Sequence, residues 1–126
     1  SALHRTLARM AHEIAEANPD AGSLVLVGIQ RGGVAVARRL ASELGSVFGR
    51  PVPCGTLDVT FYRDDLNRRT APTVHPTEIP GDIEGKTVVL VDDVITTGST
   101  LLACSKTLQA AGVAQVRWVV LARTPA

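Results

Sequence analysis

Residues 88–100 read VVLVDDVITTGST, an apolar run followed by two carboxylates and then a loop of small, hydroxyl-bearing residues. The sequence from Lys86 to Val91 is mostly β-branched and apolar over the length of a strand. This composition predicts a strand that is buried on both faces of a parallel sheet. Asp92 and Asp93 then fall at its carboxyl end, where open α/β sheets bind their ligands.

The carboxylates are followed by a predicted helix that starts at Ser99 or Thr100. Its apolar and small residues recur at helical spacing and Gly112 is a plausible stop; the positions are Leu101, Leu102, Ser105, Leu108 and Ala111. The unpaired N–H groups and the dipole of a helix N-terminus favour anions, and hydroxyl donors add to them. We therefore predict a phosphate cradle formed by Thr96, Thr97, Gly98, Ser99 and Thr100.

Two carboxylates beside an anion cradle must hold something other than the phosphate, and ribose hydroxyls or a hydrated Mg²⁺ would suit them. The combination resembles the phosphoribosyl pyrophosphate (PRPP) signature of type I phosphoribosyltransferases. The resemblance implies that Asp92 and Asp93 take the ribose 2′- and 3′-hydroxyls and a Mg²⁺ ion, directly or through water. It also implies that the loop after them takes the 5′-phosphate and that Asp92 and Asp93 are catalytic.

The turn after the first predicted strand is a second candidate site, with the sequence Gly28-Ile-Gln30-Arg31-Gly32-Gly33. Its glycines free the backbone to point N–H groups inward, and Arg31 adds a cation, so the turn suits pyrophosphate. A plain strand-to-helix turn would have the same glycines. In type I phosphoribosyltransferases the corresponding loop holds the pyrophosphate, which implies that role for Gln30, Arg31, Gly32 and Gly33.

A third element, Asp58-Val-Thr-Phe-Tyr-Arg-Asp-Asp-Leu66, carries Arg63 on a segment predicted to close over a polyphosphate. A solvated charged hairpin would look similar. Together with the signature, this string resembles the pyrimidine operon attenuation regulators (PyrR), bifunctional proteins with uracil phosphoribosyltransferase activity. The resemblance implies the reaction of uracil and PRPP to UMP and pyrophosphate, with Mg²⁺ as cofactor, a further role in binding the pyr mRNA leader, and Arg63 as a catalytic residue.

The first predicted helix carries the basic face that the resemblance assigns to RNA. Arg5, Arg9 and His12 lie on one side of it, because steps of four and three residues return to the same face. They match family positions, although Ala8 stands where a Thr is usual. A basic stripe is also an ordinary feature of a solvated amphipathic helix.

The sequence departs from the PyrR pattern in three places. Gln30, Arg31 and Gly32 replace the usual central residues of the pyrophosphate loop, and Thr96 and Ser99 stand where a Tyr and an Arg are usual. The family also continues into a segment that helps cover the base, and we expect this hood to be absent from residues 1–126. The residues that recognise the base therefore cannot be inferred from the PyrR resemblance. The end of the given sequence is also similar to ComF-type phosphoribosyltransferase-like proteins.

The remaining periodicity predicts alternating helices and strands, hence an α/β fold with a Rossmann-like parallel sheet flanked by helices in one domain, residues 1–126. Helices are expected near residues 2–17, with a buried stripe of Leu3, Leu7, Met10 and Ile14, and at 34–44, ending at Gly45. Strands are expected at 24–27, 54–62 and 116–121. Residues 64–84 are polar and rich in proline, and we predict a long functional loop.

Composition narrows the function classes. The formal net charge of +1 argues against binding of nucleic acid by bulk charge. No apolar run approaches the ~18 residues of a membrane span, and the glycine spacing fits neither the dinucleotide fingerprint nor the P-loop. Cys54 and Cys104 are expected to be buried thiols in a reduced cytoplasm. The family resemblance implies a homo-oligomer, a dimer or a higher assembly.

Three readings of function remain. The first is a PRPP-dependent enzyme, and the second is a regulator that senses UMP or PRPP and binds RNA without turnover. A shortened or engineered core that binds PRPP without turnover belongs with the second. The third is a phospho-acceptor receiver domain, which also uses strand-end carboxylates. The acidic pair of such a domain normally comes early in the chain, and the lysine that its sheet supplies later cannot be placed in this sequence.

Overall fold

The computed structural model describes residues 2–30, 32–64, 69–79, 83–95 and 99–123. The chain forms three α-helices and five strands in these ranges, with one short 3₁₀ turn at Ala21–Ser23. In chain order the elements are α1 (Ala2–Ala17), β1 (Leu24–Ile29), α2 (Gly32–Phe48), β2 (Cys54–Asp64), β3 (Arg69–Glu78), β4 (Thr87–Ile95), α3 (Ser99–Ala110) and β5 (Gln115–Arg123).

The strands form one sheet in the order β3-β2-β1-β4-β5. Strands β2, β1, β4 and β5 are parallel, whereas β3 pairs antiparallel with β2. Helix α2 connects β1 to β2, and α3 connects β4 to β5. The predicted fold class, a parallel sheet flanked by helices, is confirmed.

Helices cover both faces of the sheet and create two hydrophobic cores. On one face α1 and α2 pack against the sheet, and the buried residues include Leu7, Ile14, Leu40, Leu26 and Val89. On the other face α3 packs on the sheet, and the buried residues include Leu101, Cys104, Val27, Val88 and Leu90. Neighbouring residues of β1 and β4 alternate between the cores, because successive side chains of a strand point to opposite faces. All of β1 is buried, as its unbroken apolar sequence predicts.

Helix α2 is longer than the sequence predicts. It begins at Gly32 and ends at Phe48, so the predicted stop at Gly45 was wrong. Phe48 packs against the core on the α1 side, and this contact holds the last turn in place despite the low helix propensity of Gly45. The actual stop is Gly49, whose φ of +72° is the left-handed conformation in which helices commonly end.

The predicted long loop over residues 64–84 was also wrong, because residues 69–78 form β3. This strand pairs with β2 from Thr56↔Glu78 to Asp64↔Arg69. Pro72 and Pro76 hid it from sequence analysis, since proline lacks the N–H that a central strand needs. Strand β3 lies at the edge of the sheet, where proline is tolerated.

Helix α1 spans its predicted range, but its buried stripe differs from the prediction. Leu7, Ala11 and Ile14 are buried, whereas Leu3 is 41% exposed. The buried stripe of α1 therefore begins at Leu7, one turn later than expected, although His4 still reaches Glu43 of α2 at 3.5 Å. No helix in the described ranges is long and apolar enough to cross a membrane.

Glycine allows helix α2 to lie directly on the strands. A Cβ on Gly28 of β1 would lie 2.7 Å from both the Gly33 carbonyl oxygen and the Val34 Cα atom. A Cβ on Gly33 would in turn overlap the Val91 carbonyl oxygen of β4. Because the atoms in the way are backbone, neither contact can be relieved by a change of rotamer.

Both cysteines are free, and their surroundings disfavour the thiolate. Cys104 is fully buried. Burial raises its pKa from 9.0 to about 11, and the nearby charge of Asp92 adds to this rise. Burial also raises the pKa of Cys54, although the charge of Arg38 partly opposes it. The expectation of a buried thiol is confirmed for Cys104, while Cys54 is partly exposed.

We predict that Gly28→Ala lowers the free energy of unfolding by about 1–3 kcal/mol, because the added methyl group overpacks the contact between β1 and α2. Gly45→Ala is the matched control, since its Cβ would meet only ordinary contacts, the nearest at 3.5 Å from the Arg50 carbonyl oxygen. That substitution should stabilise the protein by up to about 1 kcal/mol through helix propensity. Urea unfolding measures both changes, and equal stabilities for the two variants would contradict the close packing at Gly28.

The raised pKa of Cys104 predicts a loss of stability at alkaline pH. The folded state holds the neutral thiol up to about pH 11, whereas the unfolded chain ionises near 9.0. The free energy of unfolding should therefore fall between these pH values and be unaffected below them. Other groups titrate in the same range, so the measurement is the difference between wild type and Cys104→Ala across the pH series. A constant difference from pH 7 to 11 would show that the pKa is not raised.

Candidate functional site

The order of the strands reverses between β1 and β4. From β1 the chain passes through α2 to β2 on one side, whereas from β4 it passes through α3 to β5 on the other. The two strands are parallel and adjacent, and their last paired residues are Gly28 and Val91. In open α/β sheets the crevice at such a reversal, outside the carboxyl ends of the strands, is where ligands bind.

The start of α2 lies in this crevice. A Cβ on Gly33 would stand 3.1 Å from the Cα of Asp92, so the first turn of the helix touches the backbone of β4. Gln30 is exposed, and its N–H donates a hydrogen bond of 2.8 Å to the Leu57 carbonyl of β2. Gly32 begins the helix and Gly33 is buried. The structure thus brings the two predicted motifs together, although Arg31 lies outside the described residues.

Asp92 and Asp93 lie within β4, which continues to Ile95 instead of ending at Val91. The extension pairs with β5 only, through Asp92↔Val120, Val94↔Ala122 and Ile95↔Arg123. The prediction that the carboxylates follow the strand was therefore wrong in its boundary. Relative to β1, however, Asp92 is the first residue beyond the shared pairing, which leaves the acidic pair at the open side of the crevice.

Helix α3 begins on the far side of the acidic pair. Asp92 is partly buried, and its charge reaches Cys104 on the buried face of α3, whose pKa it helps to raise. Ser99 and Thr100 form the start of the helix, while Thr96, Thr97 and Gly98 lie outside the described residues. Neither α2 nor α3 has an acidic residue in its first turn, so neither dipole is offset by the protein's own carboxylates there.

One polar group beside the site was not singled out by sequence analysis. Thr56 of β2 is 5% exposed, and within the described part of the chain its hydroxyl has no hydrogen-bond partner. It pairs with Gly28 and lies on the same face as Cys54, which packs on the α2 side of the sheet. The available signal was a single Thr among the apolar residues that begin β2. A Thr hydroxyl in a strand usually finds a hydrogen-bond partner nearby, so this signal is weak.

Arg63 is not part of the crevice described so far. It lies in a two-stranded ribbon that β2 and β3 form after β2 leaves β1 at Leu57, and its backbone pairs with Thr70. The ribbon turns toward α3, because β3 contacts that helix. The closure of Arg63 over a polyphosphate stays a prediction.

The predicted basic face of α1 is exposed, with Arg5, Arg9 and His12 all on the solvent side. Arg9 also borders a groove of about 700 Å³ between α1 and β5, together with Arg117 and Met10. Across the described ranges, no three His, Cys, Asp or Glu side chains cluster at metal-binding distance.

Comparison with known proteins identifies the family of the chain. The model of the phosphoribosyl transferase domain matches residues 1–126. The chain is 54% identical over 102 residues to the bifunctional protein PyrR of Pelotomaculum thermopropionicum, covering 80% of this chain and 56% of the relative. It is 44% identical over 127 residues to that of Listeria welshimeri, covering 97% and 69%. The chain thus spans little more than half the length of the first of these relatives.

Solved structures agree. The purine phosphoribosyltransferase of Pyrococcus horikoshii superposes with a TM-score of 0.78 at 32% identity, covering 98% of this chain and 74% of that one. The hypoxanthine-guanine phosphoribosyltransferase of L. donovani shares the fold with a TM-score of 0.77 at 21% identity, covering 93% and 69%. This chain therefore belongs to the phosphoribosyl transferase domain family.

Proposed function

We propose that the chain is the core of a PRPP-dependent phosphoribosyltransferase that converts uracil and PRPP to UMP and pyrophosphate. The observation that carries the proposal is the contact of Gly33 with the backbone of Val91 and Asp92. It joins the glycine-rich turn and the acidic pair, two motifs that are distant in sequence, in the crevice between β1 and β4. The choice of uracil rests on the resemblance to the PyrR proteins, which the 54% identity supports.

Each part of the crevice receives one part of PRPP. The backbone N–H groups at Arg31, Gly32 and Gly33, with the α2 dipole and the exposed side chain of Gln30, bind the pyrophosphate. The acidic pair, Asp92 and Asp93, accepts hydrogen bonds from the ribose hydroxyls. The loop and first turn of α3 bind the 5′-phosphate through Thr96, Thr97, Gly98, Ser99 and Thr100. Arg63 is proposed to close over the pyrophosphate from the β2–β3 ribbon.

The residues present fit Mg²⁺ as the cofactor. Magnesium prefers oxygen ligands and is usually held by one or two carboxylates together with waters and substrate phosphates. Asp92 and Asp93 supply such a pair, and the lack of a three-residue cluster within the described ranges agrees with an ion that arrives with its substrate. When bound, the ion neutralises charge on the leaving pyrophosphate.

Catalysis in this crevice depends on position and charge. Breaking the bond between C1 and pyrophosphate creates an oxocarbenium-like ribosyl centre, and the electron pair leaves with the pyrophosphate oxygen. The uracil nitrogen forms the new bond to C1 and loses its proton. The two helix N-termini hold the two anionic ends of PRPP in place, so that C1 is presented to the base. We assign the Asp92 and Asp93 carboxylates to the ribose, where their negative charge would stabilise the positive charge that develops at C1.

We predict that Asp93→Asn lowers kcat/KM by about 10²-fold or more, because it removes a charge aimed at the transition state. The stability of the variant should change far less than its rate. Glu16→Gln, which removes an exposed carboxylate of α1, is the matched control and should keep wild-type activity. The measurement is formation of UMP from uracil and PRPP, with urea unfolding of the same samples. Equal rates for Asp93→Asn and wild type would reject the assignment.

A regulator that binds RNA is the second candidate, and the exposed face of Arg5, Arg9 and His12 favours it. Arg117 of β5 borders the same groove as Arg9, and Glu13 of α1 lines it as well. The PyrR resemblance implies the pyr mRNA leader as the ligand. This role is compatible with catalysis, since the face lies on α1 and the proposed PRPP site is built from β1, α2, β4 and α3.

We predict that Arg9→Ala weakens binding of a pyr leader RNA and lowers the slope of log K against log salt by about one, as expected for one lost phosphate contact. Arg39→Ala removes an exposed arginine of α2 and serves as the control. Binding is measured at several salt concentrations, and PRPP turnover should be the same in both variants. Identical RNA binding by wild type and Arg9→Ala would remove this face from consideration.

A further inference from the structure

A partly buried pair of linked hydrogen bonds connects the first turn of α3 to the edge strand β5. The indole N–H of Trp118 donates to the Ser105 hydroxyl at 2.7 Å, and that hydroxyl donates to the Leu101 carbonyl at 2.8 Å. Ser105 is 6% exposed and Leu101 is fully buried, so water competes little for these bonds. Linked hydrogen bonds in such surroundings strengthen one another.

These linked hydrogen bonds lie where α3 meets β4, the strand that carries Asp92 and Asp93. Trp118 pairs with Leu90 of β4, and Asp92 pairs with Val120, two residues further along β5. Leu90 and Cys104 belong to the same core, on the α3 side of the sheet. The charge of Asp92 raises the pKa of Cys104, which directly precedes Ser105. One face of α3 is thus held against β4 at Cys104 and against β5 at Ser105.

We propose that Ser105 and Trp118 are positioning residues for the 5′-phosphate of PRPP. The inference rests on the proposed function, in which the start of α3 binds that phosphate. Leu101 lies in the first turn of the helix, whose N–H groups have no intrahelical partner and point toward the preceding loop. The hydroxyl of Ser105 donates a hydrogen bond to the Leu101 carbonyl of this turn. The hydrogen bond from Trp118 fixes the position of that hydroxyl. The helix N-terminus is therefore held at a set distance from the acidic pair.

The indole of Trp118 supports this assignment by its exposure. Its side chain is 47% exposed, although a large aromatic residue on an edge strand gains more by full burial. The ring is instead placed so that its polar end reaches Ser105. A purely apolar contact with α3 would need no N–H group. We therefore assign the role of Trp118 to its hydrogen bond with Ser105.

The same helix contains a matched control. Thr107 donates its hydroxyl to the Ala103 carbonyl at 3.1 Å, the same bond to a residue four positions earlier that Ser105 makes. Thr107 is the ninth of the twelve residues of α3, and the hydrogen bonds described here link it to no strand. Thr107→Ala therefore removes a hydroxyl from α3 without cutting the connection to β5.

The experiment titrates the folded protein with two fragments of PRPP separately, namely ribose 5-phosphate and pyrophosphate. In Ser105→Ala and Trp118→Phe we expect the affinity for ribose 5-phosphate to fall about five- to tenfold, the effect of losing the Trp118–Ser105 hydrogen bond, which neither variant can form. Pyrophosphate affinity should stay within about twofold of wild type. The double variant should bind no more weakly than Ser105→Ala, because both changes remove the same connection. Thr107→Ala should match wild type for both ligands.

Hydrogen exchange of the amides of residues 99–104 provides a readout that needs no ligand. It should speed up in Ser105→Ala and Trp118→Phe and not in Thr107→Ala. Equal losses of affinity for both fragments would overturn the proposal, since they would reflect general loosening. Wild-type affinity and exchange in Trp118→Phe would overturn it as well. Failure of the wild type to bind either fragment would instead reject the proposed function, while the exchange rates would still decide whether the connection holds the first turn.

Discussion

The close approach of α2 to the backbones of β1 and β4 is the contact on which the rest of the site depends. It exists because Gly28 and Gly33 have no side chains, so that a helix and two strands meet through main-chain atoms alone. Backbone groups cannot rotate away as side chains do, and the resulting position of the helix N-terminus relative to Asp92 is rigid. A phosphate site built on such a contact is preorganised before any ligand arrives.

The strand order turns this contact into a crevice. If β1 and β4 were followed by crossovers in the same direction, a helix would cover the space between their carboxyl ends. Because the crossovers diverge, α2 and α3 lie on opposite faces and their N-termini flank the same gap. One sheet therefore presents two helix N-termini, which favour anions, to the same gap. The proposed binding of PRPP uses both of them, with the acidic pair of β4 between them.

The two helices are held in different ways. Helix α2 is fixed by glycine contacts with main chain, whereas α3 is fixed by apolar packing and by the bonds from Trp118 through Ser105 to Leu101. Hydrogen bonds between side chains can be broken at a modest free-energy cost, and close backbone packing cannot. Substitutions at the two ends of the crevice should accordingly differ, with changes at α2 acting on folding and changes at α3 on ligand affinity.

Much of the site was predictable from residues 88–100 and 28–33, because each motif is local and its spacing reflects one strand, one turn and one helix. The core strands β1 and β4 were predictable for the same reason, since burial on both faces leaves an unbroken apolar run. The prolines of β3 concealed a strand that exists only because β2 pairs with it. Gly45 was predicted to end α2, but Phe48 packs against the core, and the helix continues to that residue.

The amino-acid sequence by itself determined where residue types suited to phosphate and ribose occur, since that suitability depends on residue type and on spacing along one turn. Only the tertiary structure decided that Gly33 touches Asp92, that Thr56 is buried beside Gly28, and that Trp118 reaches Ser105. These relations join residues far apart in the chain. They depend on how helices and strands pack, and no local pattern encodes that packing.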